Sequence, residues 1–102
     1  MSYSVIIEDR AKRDIREAAR WIAQYSPKKA TLWHFEIEEA ILSLENSPFR
    51  CSVAAESQFF QEEIRQLIVG KYRVLFTVKD EEVHVLYVRH AAMDYARPEE
   101  SE

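Results

Sequence analysis

The chain has one glycine and one cysteine in 102 residues, three prolines, and fewer basic than acidic side chains. Each scarcity removes a class of function. A loop that cradles phosphates with its backbone amides needs several glycines at fixed spacing. Gly70 stands alone, so the nucleotide-binding signatures are excluded, and kinase or dehydrogenase chemistry with them. Cys51 can form no internal disulfide and cannot by itself build a thiolate metal cage; it reads as a small apolar residue in a reducing compartment. No apolar run approaches the roughly 18 residues needed to cross a bilayer. The opening Met-Ser-Tyr-Ser-Val lacks the basic start and apolar segment of a secretory signal, so a cytoplasmic chain that engages no membrane is expected. A formal net charge of -4 argues against holding nucleic acid mainly by neutralising phosphates, although a local basic patch remains open.

What is present suits an ordinary globular chain, with 47% hydrophobic and 31% charged residues. A single domain over 1–102 is expected, with 91–102 a loosely ordered acidic tail beyond Pro98. Its organising stretch runs from Ile64 to His90. Three runs rich in Val, Ile, Leu, Tyr and Phe are separated there by Gly70-Lys71 and by Lys79-Asp80-Glu81-Glu82, the punctuation of an antiparallel three-strand meander. Ser2 to Glu8 reads as an opening strand whose partner the sequence leaves open. Asp9 is expected to cap a helix from Arg10 to about Tyr25, because Ala11, Ile15, Ala18 and Ile22 recur at helical spacing. Ser26-Pro27 starts a second helix along Ala30, Trp33, Ile37, Ile41 and Leu44, which Ser47-Pro48 stops. The short turn between them makes an antiparallel helical hairpin. Leu32 and Phe35 fall off the second helix's main apolar stripe, either as a wide stripe under the following loop or as a partner surface. From Ser47 to Glu63 there is no period; Phe59 and Phe60 are expected to pin this loop as a lid over Arg50 and Cys51. The fold class is therefore α+β: an N-terminal strand and a two-helix hairpin packed on an antiparallel sheet completed by the C-terminal meander.

No metal or cofactor is expected. His84 and His90 read as sharing a strand face, yet six residues of extended chain put them roughly 20 Å apart, too far to share an ion. His34 stands alone on a helix. Serine and histidine are present without the G-x-S-x-G turn of a nucleophile elbow. The remaining candidates are cations on the sheet face away from the helices, Arg73 and Arg89, with Arg65 depending on register. If Gly70-Lys71 is a two-residue turn, Ile68 pairs with Arg73 and Arg65 points to the opposite face; if Val69 belongs to the loop, Arg65 joins Arg73. The alternative for all of them is a solvated sheet face that discourages edge aggregation.

The order of these elements, with PFRCSVAAES, EEIRQLIVGKYRVLFTV and VHVLYVRHAAMD, resembles the RelE/ParE superfamily of bacterial type II toxins, the toxic halves of toxin-antitoxin or plasmid-stabilisation modules. The most specific pieces are Gly70-x-Tyr72-Arg73 and His90-x-x-Met93-Asp94. The resemblance implies a cognate antitoxin partner and two branches of function. RelE-like members cut messenger RNA on the ribosome with basic residues and usually a tyrosine; here that would fall to Arg65, Arg73 and Arg89, with His90 or Tyr95 as the acid-base group. ParE-like members bind and poison DNA gyrase with no known bond-cleaving site. Leu67, Ala92 and Met93 stand where RelE-like enzymes carry basic residues, and the ending is closer to the ParE branch, although Ala92 departs from the arginine common there. A protein-binding toxin is therefore the leading expectation, and Arg73→Ala is expected to lower activity without unfolding the chain.

Overall fold

The computed structural model describes residues 2–93 and 96. Strand β1 (Ser4–Ile7) is followed by helices α1 (Asp9–Ala23) and α2 (Pro27–Leu42), then by three short 3-10 turns at Ser43–Glu45, Pro48–Arg50 and Ala55–Phe59. The meander β2 (Arg65–Val69), β3 (Tyr72–Lys79) and β4 (Glu82–His90) completes the sheet. This is the α+β arrangement the sequence predicts. The strand order is β1-β4-β3-β2, and β1 lies parallel to β4, so the sheet is mixed, with its three later strands antiparallel.

The helices form where the apolar spacing places them. Glu8, not Asp9, occupies the N-cap of α1, and no side chain caps it; Asp9 already lies in the first turn, where its charge favours the exposed amides. At α2 the Ser26 hydroxyl accepts from the Lys29 amide at 3.2 Å, and Pro27 occupies a first-turn position that has no use for an N-H. The main core lies between the hairpin and the sheet, where Ile15, Ile37, Ile41 and Leu44 meet Val74, Phe76, Val83 and Val85. Each large side chain removed from water there contributes about 1.5 to 3 kcal/mol.

The opposite sheet face is not open. A second apolar cluster of Ala54, Ile64, Leu75, Tyr87 and Ala96 covers it, with Phe60 packed edge-on to Tyr87. The loop is thus a lid, as expected of Phe60, but not over the residues expected. Arg50 is exposed and donates to the Asn46 carbonyl at 2.6 Å, while Cys51 belongs to the helix-side core. Backbone pairing explains the lid's placement: the Ala54 amide donates to the Ile64 carbonyl at 2.8 Å and the Gln66 amide to that of Ser52 at 3.0 Å, along the outer edge of β2.

Two local features set the faces. Ile68 pairs with Arg73 and Val69 with Tyr72, so Gly70-Lys71 is the two-residue turn. Gly70 has φ +59° and a Cβ there would meet nothing within 4 Å, so backbone conformation and not space calls for glycine. In β4 the pairing steps from Phe76↔Val85 to Leu75↔Tyr87, leaving Leu86 as a bulge. That extra residue reverses the alternation, so Val83, Val85 and Val88 all face the helices. It also places His84 and His90 on opposite faces, correcting the expectation that they share one.

His84 instead sits between two carboxylates, with Nδ1 2.8 Å from Glu8 Oε2 and Nε2 3.0 Å from Glu82 Oε1. The hydrogen bond to Glu8 is the main cause that raises its pKa, against a smaller opposing effect of burial, and Glu82 adds to the rise. A raised histidine pKa contributes stability in full below the unfolded value of about 6.5 and loses it as pH rises through the folded value. Urea unfolding compared at about pH 6 and about pH 8.5 should therefore show a loss of stability in the parent chain that His84→Asn reduces; an identical loss in the variant would remove His84 as its source.

Candidate functional site

The bulge brings Arg73 of β3 directly opposite Arg89 of β4, on the face turned away from the helices. Like charges so placed repel, and both side chains are buried, at 9% and 6% exposure. The expectation of an uncovered cationic face is corrected by what covers it. Glu56, in the turn Ala55–Phe59, is fully buried and supplies an anion. Its Oε1 accepts from Arg73 Nη1 at 3.0 Å and its Oε2 from Nη2 at 2.6 Å, a two-pronged, charge-assisted pair. Gln66 Oε1 accepts a further bond from Arg73 Nη1 at 3.1 Å. The Ala96 amide donates to Glu56 Oε2 at 3.2 Å, so one carboxylate joins the lid, β3 and the segment after β4. Burial alone would raise the Glu56 pKa, but the bonds from Arg73, from its own backbone amide and from Ala96 outweigh it and hold the carboxyl below its ordinary value.

Arg89 borders a different space. A cavity of about 300 Å³ lies between α1 and the end of β4, lined in part by Arg10, Asp14, Trp21, Tyr72, Arg89 and His90. It lies where β1 ends opposite Val85, leaving the last residues of β4 paired with β3 on one side and without a neighbouring strand on the other. Asp14 stands in for the missing carbonyl: its Oδ2 accepts from the Val88 amide at 3.0 Å and its Oδ1 from Arg10 Nε at 3.1 Å. Burial raises the Asp14 pKa despite these bonds. Arg10 also lies 5.2 Å from the centroid of the Tyr87 ring. His90 lies on the helix side, edge-on to Tyr72 at 5.1 Å, and Tyr72 in turn packs on Trp33 at 5.0 Å. The Ala92 amide donates to His90 Nδ1 at 3.0 Å.

Arg65 does not join them. The two-residue turn pairs it with Phe76 on the helix side. There Nη1 donates to the Cys51 carbonyl at 2.6 Å, Nη2 lies 2.9 Å from Glu63, and the guanidinium covers the Phe49 ring at 5.0 Å. Tyr95 falls outside the described residues. Of the sequence-nominated groups, then, Arg89 and His90 meet at one cavity, Arg73 is committed to Glu56, and Arg65 fastens the start of the lid. Glu56 itself was missed, because an acid in a loop without period carries no local sign of being buried. The Arg10-Asp14 pair was open to discovery from its i,i+4 helical spacing.

A family model described as the ParE toxin of the type II toxin-antitoxin system parDE matches residues 5–95. No curated protein matches the sequence. Among solved structures, a chain of the chromosomal ParDE toxin-antitoxin system from P. aeruginosa is similar with a TM-score of 0.70 at 18% identity, over 87% of this chain and 96% of that one. A chain of the toxin-antitoxin complex RelBE2 from Mycobacterium tuberculosis is similar with a TM-score of 0.57 at 22% identity, over 88% of this chain and 99% of that one. At these identities the likeness is one of fold.

Removing one partner of a buried ion pair leaves the other charge uncompensated and costs about 3 to 5 kcal/mol. Glu56→Gln should lower the unfolding free energy by that order, and Arg73→Ala similarly, so the expectation that Arg73→Ala leaves the fold untouched is revised. Because the Glu56 pKa is depressed, its contribution is present above the ordinary carboxyl range and lost as pH falls through the folded value. Denaturation across the acid limb should show a steeper decline in the parent than in Glu56→Gln; equal stability of the two at neutral pH would contradict the assignment.

Proposed function

The chain belongs to the ParE toxin family of type II toxin-antitoxin systems, and on that premise we propose that it acts by binding a protein target such as DNA gyrase and is neutralised by a cognate antitoxin. The observation that carries this reading is the commitment of Arg73 to Glu56. Cutting RNA requires several cations preorganised around the phosphate, where negative charge develops. Here one candidate already has its anion and another, Arg65, lies on the other face of the sheet. The net charge of -4 also favours a protein surface over an RNA backbone as partner.

A second reading, RelE-like cleavage of messenger RNA on the ribosome, is favoured by one observation: the cavity of about 300 Å³ that Arg10, Arg89 and His90 share. Induction of the chain without an antitoxin, with DNA supercoiling and message integrity followed in the same cells, separates the two. The proposal expects gyrase-linked DNA breaks while messages stay intact. Prompt message cleavage with normal supercoiling would replace it with the second reading, and unimpaired growth would mark an inactive toxin fold.

For the antitoxin, the outer surface between α1 and α2 offers a groove of about 530 Å³, with Ala19, Ala23 and Ala30 in its lining beside Arg16, Arg20 and His34. Small floor residues let a helix approach closely, and the arginines suit an acidic amphipathic segment laid in the groove. Replacing both Arg16 and Arg20 by Glu should weaken antitoxin binding by about tenfold or more and reduce its salt dependence, as read by calorimetry at two ionic strengths. Unchanged affinity in a folded variant would move the antitoxin to another surface.

A further inference from the structure

We propose that the solvent-facing back of α2 is a self-association surface on which a second copy of this chain packs antiparallel. Helix α1 has its buried Ala11 and Ile15 on one side, and its exposed residues include many charges. Helix α2 is apolar on two sides. Ala30, Ile37 and Ile41 face the core, while Leu32, Phe35 and Leu42 are 57%, 61% and 55% exposed. At about 3.6 residues per turn, Lys28, Leu32, Phe35, Glu39 and Leu42 fall in one line, nearly opposite the buried side. Their spacing of four, three, four and three residues is that of a coiled-coil seam.

The charges on this helix name the occupant. Lys28 and Lys29 stand at its N-terminal end and Glu36, Glu38 and Glu39 in its second half. That is the reverse of what the helix dipole favours, and the first turn holds no acid and the last no base. Neither Lys28 nor Glu39 takes part in an ion pair among the described residues. An antiparallel copy turns this unfavourable polarity into complementarity. With a twofold axis passing between Trp33 and His34, Lys28 of one copy meets Glu39 of the other, and Leu32 meets Phe35. Each contact occurs twice by symmetry. A partner of different sequence would need a matching seam; a second copy has it already. The seam is distinct from the groove between α1 and α2 proposed for the antitoxin.

Two helices of 16 residues bury less than the roughly 1,200 Å² of a stable complex, so self-association in the micromolar range is expected. Sedimentation equilibrium of the purified full chain from about 1 to about 500 μM tests it. The parent should pass from monomer to dimer, and Phe35→Glu should stay monomeric with an unchanged circular dichroism spectrum. Lys28→Glu should weaken the dimer by about tenfold, and adding Glu39→Lys should restore it, a rescue that damage to the fold could not produce. A parent monomeric throughout the range would overturn the proposal, as would a dimer indifferent to Phe35→Glu. If the parent is monomeric and Phe35→Glu instead abolishes antitoxin capture, the seam belongs to the antitoxin.

Discussion

Two arginines set opposite each other on neighbouring strands can be buried only if an anion is buried with them. Glu56 is that anion for Arg73, and much of this chain's second half is arranged around delivering it. The lid pairs with the edge of β2, its 3-10 turn lowers a carboxylate onto the sheet, and the Ala96 amide closes over it from the other side. The arrangement is costly to assemble, because desolvating charges offsets most of what their attraction returns. What it provides is order: the lid, β3 and the segment after β4 share one carboxylate, in addition to the small apolar cluster and the backbone bonds that hold the lid to the sheet.

The bulge at Leu86 decides which residues this clamp can use. Without it, pairing outward from the Asp80-Glu81 turn would set Val88 opposite Arg73 and turn Arg89 toward the helices. Such a one-residue step inverts every side chain beyond it. The same step lets Val83, Val85 and Val88 all serve the main core. One extra residue thus reconciles an apolar strand with a cationic end, while the early end of β1 leaves the edge that Asp14 occupies.

Much of the architecture was legible in the sequence because it depends on near neighbours. Helical spacing, Ser26-Pro27 and the lone Gly70 mark the hairpin of helices and the meander without reference to anything distant. The parallel placement of β1, the choice of register at Gly70 and the bulge depend on how strands meet, and no local pattern encodes that. The site was less legible for the same reason. Arg73 and Arg89 do share a face, as expected, but whether that face is bare depends on Glu56, which lies 17 residues from Arg73 in sequence. Arg65 was left open by two registers, and the turn sends it to the helix side. Leu32 and Phe35, by contrast, were visible as misfits on α2 from the start, and their exposure gives that misfit a meaning.

Arg73 is held by Glu56 instead of being available to a target. Nitrogen-15 spectra of the arginine guanidinium groups, recorded while pH is lowered, test this most directly. A guanidinium gripped at both Nη atoms rotates slowly, so Arg73 should show resolved Nη signals at neutral pH that collapse as Glu56 takes up its proton. A single averaged Arg73 signal at neutral pH, insensitive to Glu56→Gln, would show that the cation is free and contradict the account.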